Sequence, residues 1–348
     1  MAASSPARIP SLDGLRALSI GLVILSHLLG TRGFPFGPRA LGTVGDFGYL
    51  GVKVFFVISG YLITTLLVRE HARTGTVSLR GFYVRRFFRI FPAFYAFIAV
   101  MVVASAAGLI HVSGRDLLAA VTYTMNYHYE RSWELGHIWS LSIEEQFYLM
   151  WPLVVLLVGR GRTAGAATTM IVLALACRAA VWFWLRNDDL IEEAFPCMMD
   201  SIAVGCLLAA IAPRLDASPR YQRLLDSWLF LLVPVAVAIA QLPVHPSVQY
   251  TIGTTVENLG LALIVDRAVR RPDDLVGVVL NWRPLVWLGT LSYSLYLWQE
   301  PFVNHYRHGT VNSFPLNLGL AFACALASYY LIEKPILDWR ARRAARAR

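Results

Sequence analysis

Charge is scarce in this 348-residue chain: Asp, Glu, Lys and Arg make up 15% of it, against about 25% in an ordinary soluble domain. Lysine is almost missing, with Lys53 and Lys334 standing beside 29 arginines. That imbalance fits the codon bias of a GC-rich genome, so arginine abundance alone identifies nothing. Cysteine is limited to Cys177, Cys197, Cys206 and Cys324. No pair has the C-x2-C spacing of a zinc site, and all four sit in or beside apolar runs. A disulfide-stapled scaffold is thereby excluded, and the cysteines read as small core residues. No Gly-x-Ser-x-Gly elbow surrounds Ser59, and no His-Glu-x-x-His zinc motif occurs. No metal is implied.

What is present is apolar sequence. Hydrophobic residues make up 57% of the chain and mean hydropathy is +0.54, too apolar for one core inside a wet surface. A bilayer crossing needs about 20 largely apolar residues. Ten runs meet that need, at 12–30, 48–68, 91–110, 138–158, 165–186, 195–212, 227–242, 248–266, 284–304 and 315–333. Pro234 and Pro243 interrupt the seventh and border the eighth. The fold class expected is all-α: one polytopic membrane bundle over residues 1–340 with a short basic tail at 341–348. The first run carries charge and no small-x-small cleavage site follows it, so it is expected to remain in the protein. This composition excludes a soluble nucleic-acid binder and a disordered chain.

The net charge of +9 is a topology signal. Arg8, the six arginines from Arg69 to Arg89, Arg160, Arg162, Arg214, Arg220, Arg223, Arg267, Arg270, Arg271, Arg283 and the tail from Lys334 fall in alternate connections, 22 of the 31 basic residues. The opposite connections hold Arg32, Arg39, Arg115, Arg131, Arg186 and Arg307. Basic loops stay cytoplasmic, so both termini are expected in the cytoplasm of a cell whose plasma membrane the chain crosses repeatedly. The tail would meet anionic lipid.

Ionisable groups inside apolar runs cost several kcal/mol, and so mark interior or functional positions. Arg16 and His27 lie eleven residues apart in the first run. Eleven steps of about 100° return to the same helix face, about 16 Å further along. Asp13, three residues before Arg16, is placed to pair with it. Glu144 and Glu145 adjoin inside the fourth run, where two carboxylates cannot both ionise without partners. Arg178 and Asp200 fall at similar depth and suit a structural ion pair. Glu257, Glu300 and Glu333 also lie in or at the ends of runs. In Ser78–Pro92, Arg85, Arg86 and Arg89 interleave with Phe and Tyr. Guanidinium forks suit phosphates and aromatic rings suit a flat base, so this segment fits a phosphorylated, adenine-bearing donor. Blander roles stand beside these: His27 as a hydrogen-bond partner of a neighbouring span, the arginines as a headgroup lock.

His111–Asp116 has the H-x4-D spacing of glycerolipid acyltransferases, but their phosphate-binding motif is missing. The chain resembles another family, the acyltransferase-3 integral-membrane O-acyltransferases. The resemblance runs over Ser11-Leu-Asp-Gly-Leu-Arg16-Ala with His27, Gly51-Val-Lys-Val-Phe-Phe-Val-Ile-Ser-Gly-Tyr-Leu-Ile63, and Arg85-Arg86-x-x-Arg89-Ile-x-Pro92. It continues through Trp139-Ser-Leu-x-x-Glu144-Glu-x-Phe-Tyr148, Met199-Asp200-Ser-Ile-Ala-Val-Gly205, Leu288-Gly-x-x-Ser292-Tyr-Ser-Leu-Tyr-Leu-Trp298 and Ile332-Glu-Lys-Pro335. It implies transfer of an acyl group, acetyl foremost, from cytoplasmic acyl-CoA to a hydroxyl of a saccharide in an envelope glycan or glycolipid. It also implies that Arg16 and His27 are essential and that Arg85, Arg86 and Arg89 bind the donor. His27 would be general base or acyl carrier, with Glu144 orienting it. The Trp298-Gln299-Glu300-Pro301 string has Gln299 where many members have His, so Gln299 is given no catalytic role. The form expected is one without the appended esterase-like domain of some members, with acceptor delivery expected to use the bundle or another protein. Acylation of a small molecule such as a macrolide is the rival within the class. A transporter is the rival outside it, but no inverted repeat is visible.

Overall fold

The computed structural model describes residues 9–36, 47–241 and 245–346; Arg8, Arg39 and Pro243, named above, and the last two residues of the basic tail lie outside them. The described residues form helices and turns and no strand. In chain order the α-helices are α1 Pro10–Leu28, α2 Phe47–Thr74, α3 Leu79–Ala106, α4 Gly114–Val121, α5 Ile138–Val158 and α6 Thr163–Ala180. They continue as α7 Asp188–Glu193, α8 Phe195–Asp216, α9 Pro219–Asp226, α10 Leu232–Ile239, the single turn α11 Pro246–Val248 and α12 Thr254–Arg270. The last are α13 Leu275–Leu280, α14 Arg283–Thr290, α15 Ser292–Gln299, α16 Leu316–Ser328 and α17 Lys334–Arg346.

The protein is an all-α, polytopic membrane helix bundle. Among the described residues, seven helical segments are long and apolar enough to cross a membrane, and an eighth forms if the bent pair Pro219–Asp226 and Trp228–Ile239 counts as one span. The three remaining apolar runs are interrupted locally. The run 227–242 turns by 68° where it meets α9. The run 248–266 opens on a π-turn, Gln249–Gly253, and α12 then carries Glu257, Asn258 and Asp266. The run 284–304 breaks into α14 and α15, eight residues each, and eight residues reach only about 12 Å.

The chain forms two compact units. The first takes residues 9–23, 47–77 and 143–290. Its core joins Leu12, Leu15, Val57, Ile58, Val204, Leu208, Leu261 and Val265. Helices α2 and α8 pack closely there, and glycines permit it. A Cβ on Gly205 would lie 2.1 Å from the Val57 carbonyl oxygen, and one on Gly60 2.0 Å from that of Ile202. Between helices in lipid the attraction comes from such close backbone approach, because the tails are as apolar as leucine. The expected Arg178–Asp200 pair is present and wholly buried. Arg178 Nη1 and Nη2 donate to the two carboxylate oxygens at 2.9 and 2.8 Å, and Nε donates to the Tyr250 carbonyl at 2.9 Å. Lys53 Nζ donates to Glu257 Oε2 at 2.7 Å, also buried. Buried charges persist when paired in this way.

The second unit takes residues 24–36, 78–142 and 291–346. Ser78 caps α3, its side chain accepting from Gly81 N–H at 3.1 Å, which satisfies one orphan donor of the first turn. Ser113 and Asp116 form a reciprocal capping box on α4. Helix α15 packs against α3 and α16. Tyr293 donates to the Ile90 carbonyl at 3.0 Å, and Tyr296 Oη lies 2.6 Å from Ser140 Oγ. These bonds fix the end of α15, which positions the site.

Candidate active site

Helix α15 stops at Gln299, with Pro301 two residues on. Proline lacks the N–H that the next helical bond needs, and Glu300 caps α15 with helical backbone angles, so Gln299 and Glu300 sit at a helix end. His27 lies one residue from the end of α1 and is half-buried. Its Nδ1–H donates to Gln299 Oε1 at 2.7 Å. Its Nε2 stands 3.9 Å from Glu300 Oε1. The other Glu300 oxygen accepts two bonds from His137, from the ring Nδ1–H at 2.8 Å and from the main-chain N–H at 3.0 Å. Gly136 leaves room for that carboxylate, since a Cβ there would lie 3.3 Å from Glu300 Oε2. Tyr296 Oη–H in turn donates to the His137 carbonyl at 3.1 Å. One buried carboxylate thus lies between two imidazoles. His27 keeps an exposed fraction, 23% of its side chain, whereas His137 keeps 1%, so His27 is the imidazole that a substrate can reach.

The tautomer follows from the bonds. With Nδ1 donating to Gln299, Nε2 of neutral His27 carries the lone pair. A proton taken up there forms an imidazolium facing Glu300. A hydrolytic triad sets its carboxylate at Nδ1, opposite the basic nitrogen; here Gln299 takes that position and Glu300 lies beside the basic nitrogen, near the charge it would gain. Trp133 closes one side, its ring centroid 5.4 Å from that of His27 in an edge-on contact. His305, in the loop after α15, packs edge-on against Trp133 at 4.7 Å. Burial holds the His305 imidazole below its ordinary pKa, and a proton on His27 would lower it further.

The other residues singled out by sequence fall as follows. Arg16 is half-buried on α1, with Nη1 3.5 Å from Asp13 Oδ1, the i−3 pairing expected. The continuous helix Pro10–Leu28 carries both Arg16 and His27, so the same-face spacing applies. Arg85, Arg86 and Arg89 lie in the second and third turns of α3, with Arg85 and Arg89 four residues apart and so neighbours on one face. Arg86 stands over the Phe82 ring at 5.7 Å. The Arg85 carbonyl accepts from Arg340 Nη1 at 3.4 Å. Glu144 is in the first unit. Its Oε1 accepts from Ser59 Oγ–H at 2.6 Å, and Ser59 accepts from Tyr148 Oη–H at 3.1 Å. The carboxylate set beside His27 is Glu300, which sequence reasoning left without a role, and the side chain holding Nδ1 is Gln299. The signal for both was the Trp298-Gln299-Glu300-Pro301 string. His137, two residues before the Trp139-Ser-Leu string, is the second imidazole at Glu300, and sequence reasoning gave it no role.

The chain belongs to the acyltransferase-3 family: the family's acyltransferase-domain model matches residues 9–334. Three relatives show the range. The chain is 31% identical to "O-acetyltransferase OatA" of Staphylococcus aureus over 363 aligned positions, covering 95% of this chain and 58% of that protein. It is 32% identical to "Putative peptidoglycan O-acetyltransferase YrhL" of Bacillus subtilis, covering 94% of this chain and 55% of the other. It is 28% identical to "Peptidoglycan O-acetyltransferase OatA" of Listeria monocytogenes, covering 94% and 56%. The chain therefore spans a little over half the length of these curated relatives. No solved structure matches it.

Proposed function

We propose that the chain is an acyl-CoA-dependent O-acyltransferase, moving an acetyl group to a hydroxyl of an envelope glycan. The observation that carries the reading is the half-buried His27 held by Gln299 at Nδ1 with Glu300 near Nε2. His27 Nε2 takes the proton of the acceptor hydroxyl. The oxygen attacks the thioester carbonyl carbon, a C–O bond forms and the C–S bond breaks. The imidazolium returns its proton to the departing sulfur, and CoA leaves as the free thiol. Glu300 stabilises the imidazolium during the interval, and Gln299 keeps Nε2 as the basic atom. Arg85, Arg86 and Arg89 bind the donor's phosphates through charge-assisted bonds. Arg16 meets the thioester or the phosphates. Glu144 acts as a positioning residue through Ser59 and Tyr148. The basic-residue asymmetry supports cytoplasmic termini and a cytoplasmic donor side. The relatives named for peptidoglycan O-acetylation support a peptidoglycan saccharide as acceptor within a plasma membrane setting.

The test is acyl transfer by purified protein from labelled acetyl-CoA, wild type against His27→Gln at equal donor occupancy. Glutamine can hydrogen-bond but cannot take up a proton at neutral pH. Turnover should fall about 10²–10⁴-fold, the usual contribution of a general base. A variant within about threefold of wild type removes His27 from the chemistry.

A further inference from the structure

The aromatic contacts of His27 continue outward to a side chain in the open. Trp133 touches His27 on one side, and on another it meets His305 at 4.7 Å and Tyr306 at 5.2 Å, both edge-on. His305 and Tyr306 lie 4.0 Å apart. Tyr306 is 70% exposed. Single exposed aromatics are common and need no cause; this one ends a row of rings that begins at the proposed base. The row is held firmly. Trp133 Nε1–H donates to the Val303 carbonyl at 3.3 Å, and Tyr306 N–H donates to Asn304 Oδ1 at 2.9 Å. Arg307, the next residue, reaches Glu134 at 3.2 Å and the Leu109 carbonyl at 2.8 Å. A rigid platform costs less ordering on binding than a floppy one. Two buried nitrogens beside the row, His305 Nδ1 and Gln299 Nε2, have no hydrogen-bond partner among the described residues, and buried polar groups normally have one.

A pyranose ring has the complementary chemistry: an apolar C–H face that lies on an aromatic ring, and a rim of hydroxyls that pair with side-chain nitrogens. Ligand sites usually combine an aromatic lining with a few convergent polar groups. We propose that Trp133, His305 and Tyr306 form the acceptor subsite, binding a pyranose ring of a glycan and bringing one of its hydroxyls to His27. The proposal rests on the reading of His27 as the base. Trp and Tyr also gather at membrane interfaces as anchors. Here the Trp133 N–H is spent on Val303 rather than offered to headgroups, and Tyr306 is followed by Arg307 and His308 in a polar loop, which favours the glycan.

The test uses the full chain in neutral detergent, labelled acetyl-CoA as donor and a chitin tetrasaccharide as probe acceptor. Tyr306→Ala should raise the acceptor KM about tenfold, the value of one aromatic contact, with donor KM and acceptor-free thioester hydrolysis unchanged. Tyr306→Phe, which keeps the ring, should behave as wild type. A second readout needs no turnover: the tetrasaccharide should alter the tryptophan fluorescence of wild type, and Trp133→Phe or Tyr306→Ala should abolish the change. An unchanged acceptor KM in Tyr306→Ala overturns the proposal, as does a wild-type fluorescence unaltered by the sugar. So does an equal loss of acceptor-free hydrolysis, which marks a structural role, or a defect confined to protein in liposomes, which marks a lipid anchor. Failure of the underlying reading is separate: His27→Gln would then transfer acetyl as well as wild type, whatever Tyr306 does.

Discussion

Replacing Glu300 by glutamine tests the charge geometry of the site most directly. The amide is the same size as the carboxylate and keeps an oxygen for the His137 N–H, now 3.0 Å away, so the substitution removes charge more than shape. What it removes is the attraction between that carboxylate and the imidazolium formed at His27 Nε2, 3.9 Å distant. Coulomb's law with an effective dielectric constant of about 20 gives about 4 kcal/mol at that separation. Both side chains are mostly shielded from solvent, 6% and 23% exposed, so screening leaves most of it. The imidazolium forms only as the acceptor proton moves, so the loss falls on the transition state and not on donor binding. Turnover at saturating donor should drop about 10³-fold, with CoA affinity by calorimetry unchanged and the melting temperature close to wild type. Glu300→Asp, which keeps the charge but withdraws it, should fall between the two. If Glu300→Gln retained more than about a tenth of wild-type turnover, the carboxylate would have no part in stabilising a charged His27, and the base mechanism would lose its main support.

Donor binding and helix packing give two further expectations. Arg85→Ala or Arg89→Ala should weaken CoA binding by about 1.5–3 kcal/mol, the worth of one hydrogen bond to a charged group, measured by calorimetry, with little change in melting temperature; equal affinity in both variants would leave the arginines a topological role alone. Gly205→Ala should destabilise the first unit by about 1–3 kcal/mol, the usual cost of overpacking, because the new methyl meets the Val57 carbonyl and the Tyr61 N–H and not a flexible side chain; a melting temperature equal to wild type would mean that α2 and α8 can separate without cost.

The all-helical class was legible because it depends on the composition of long windows. The candidate crossings up to residue 216 match the first six apolar runs, with boundaries shifted at most ends. The span count was less legible, because an apolar window records hydropathy and not whether the helix is continuous. In 284–304 the break between Thr290 and Ser292 comes without a proline or a run of glycines at the junction, so nothing in the window marks two short helices. The 68° bend after Asp226 likewise falls at a junction that the window 227–242 could not see. The local geometry of α1 and α3 was readable for the opposite reason. The Asp13–Arg16 pairing and the shared face of Arg85 and Arg89 depend only on helical spacing.

The site shows where periodicity stops helping. His27 and Gln299 are 272 residues apart and His137 and Glu300 are 163 apart, and no repeat within one helix encodes either pairing. Glu144 was the natural choice of carboxylate for His27, since it lies deep in an apolar run beside a second glutamate. Its Ser59 bond within the first unit is a tertiary fact of the same kind as the other two. Glu300 looked like an end-of-span charge, and that position is what makes it useful. Glu300 keeps helical backbone angles as the cap of α15, so Gln299 and Glu300 point about 100° apart around the helix end, and they meet the imidazole at different nitrogens. The contacts on His27 therefore come from the tertiary placement of the end of α15, Gln299 at one ring nitrogen and Glu300 near the other, and no periodicity within 284–304 carries that placement.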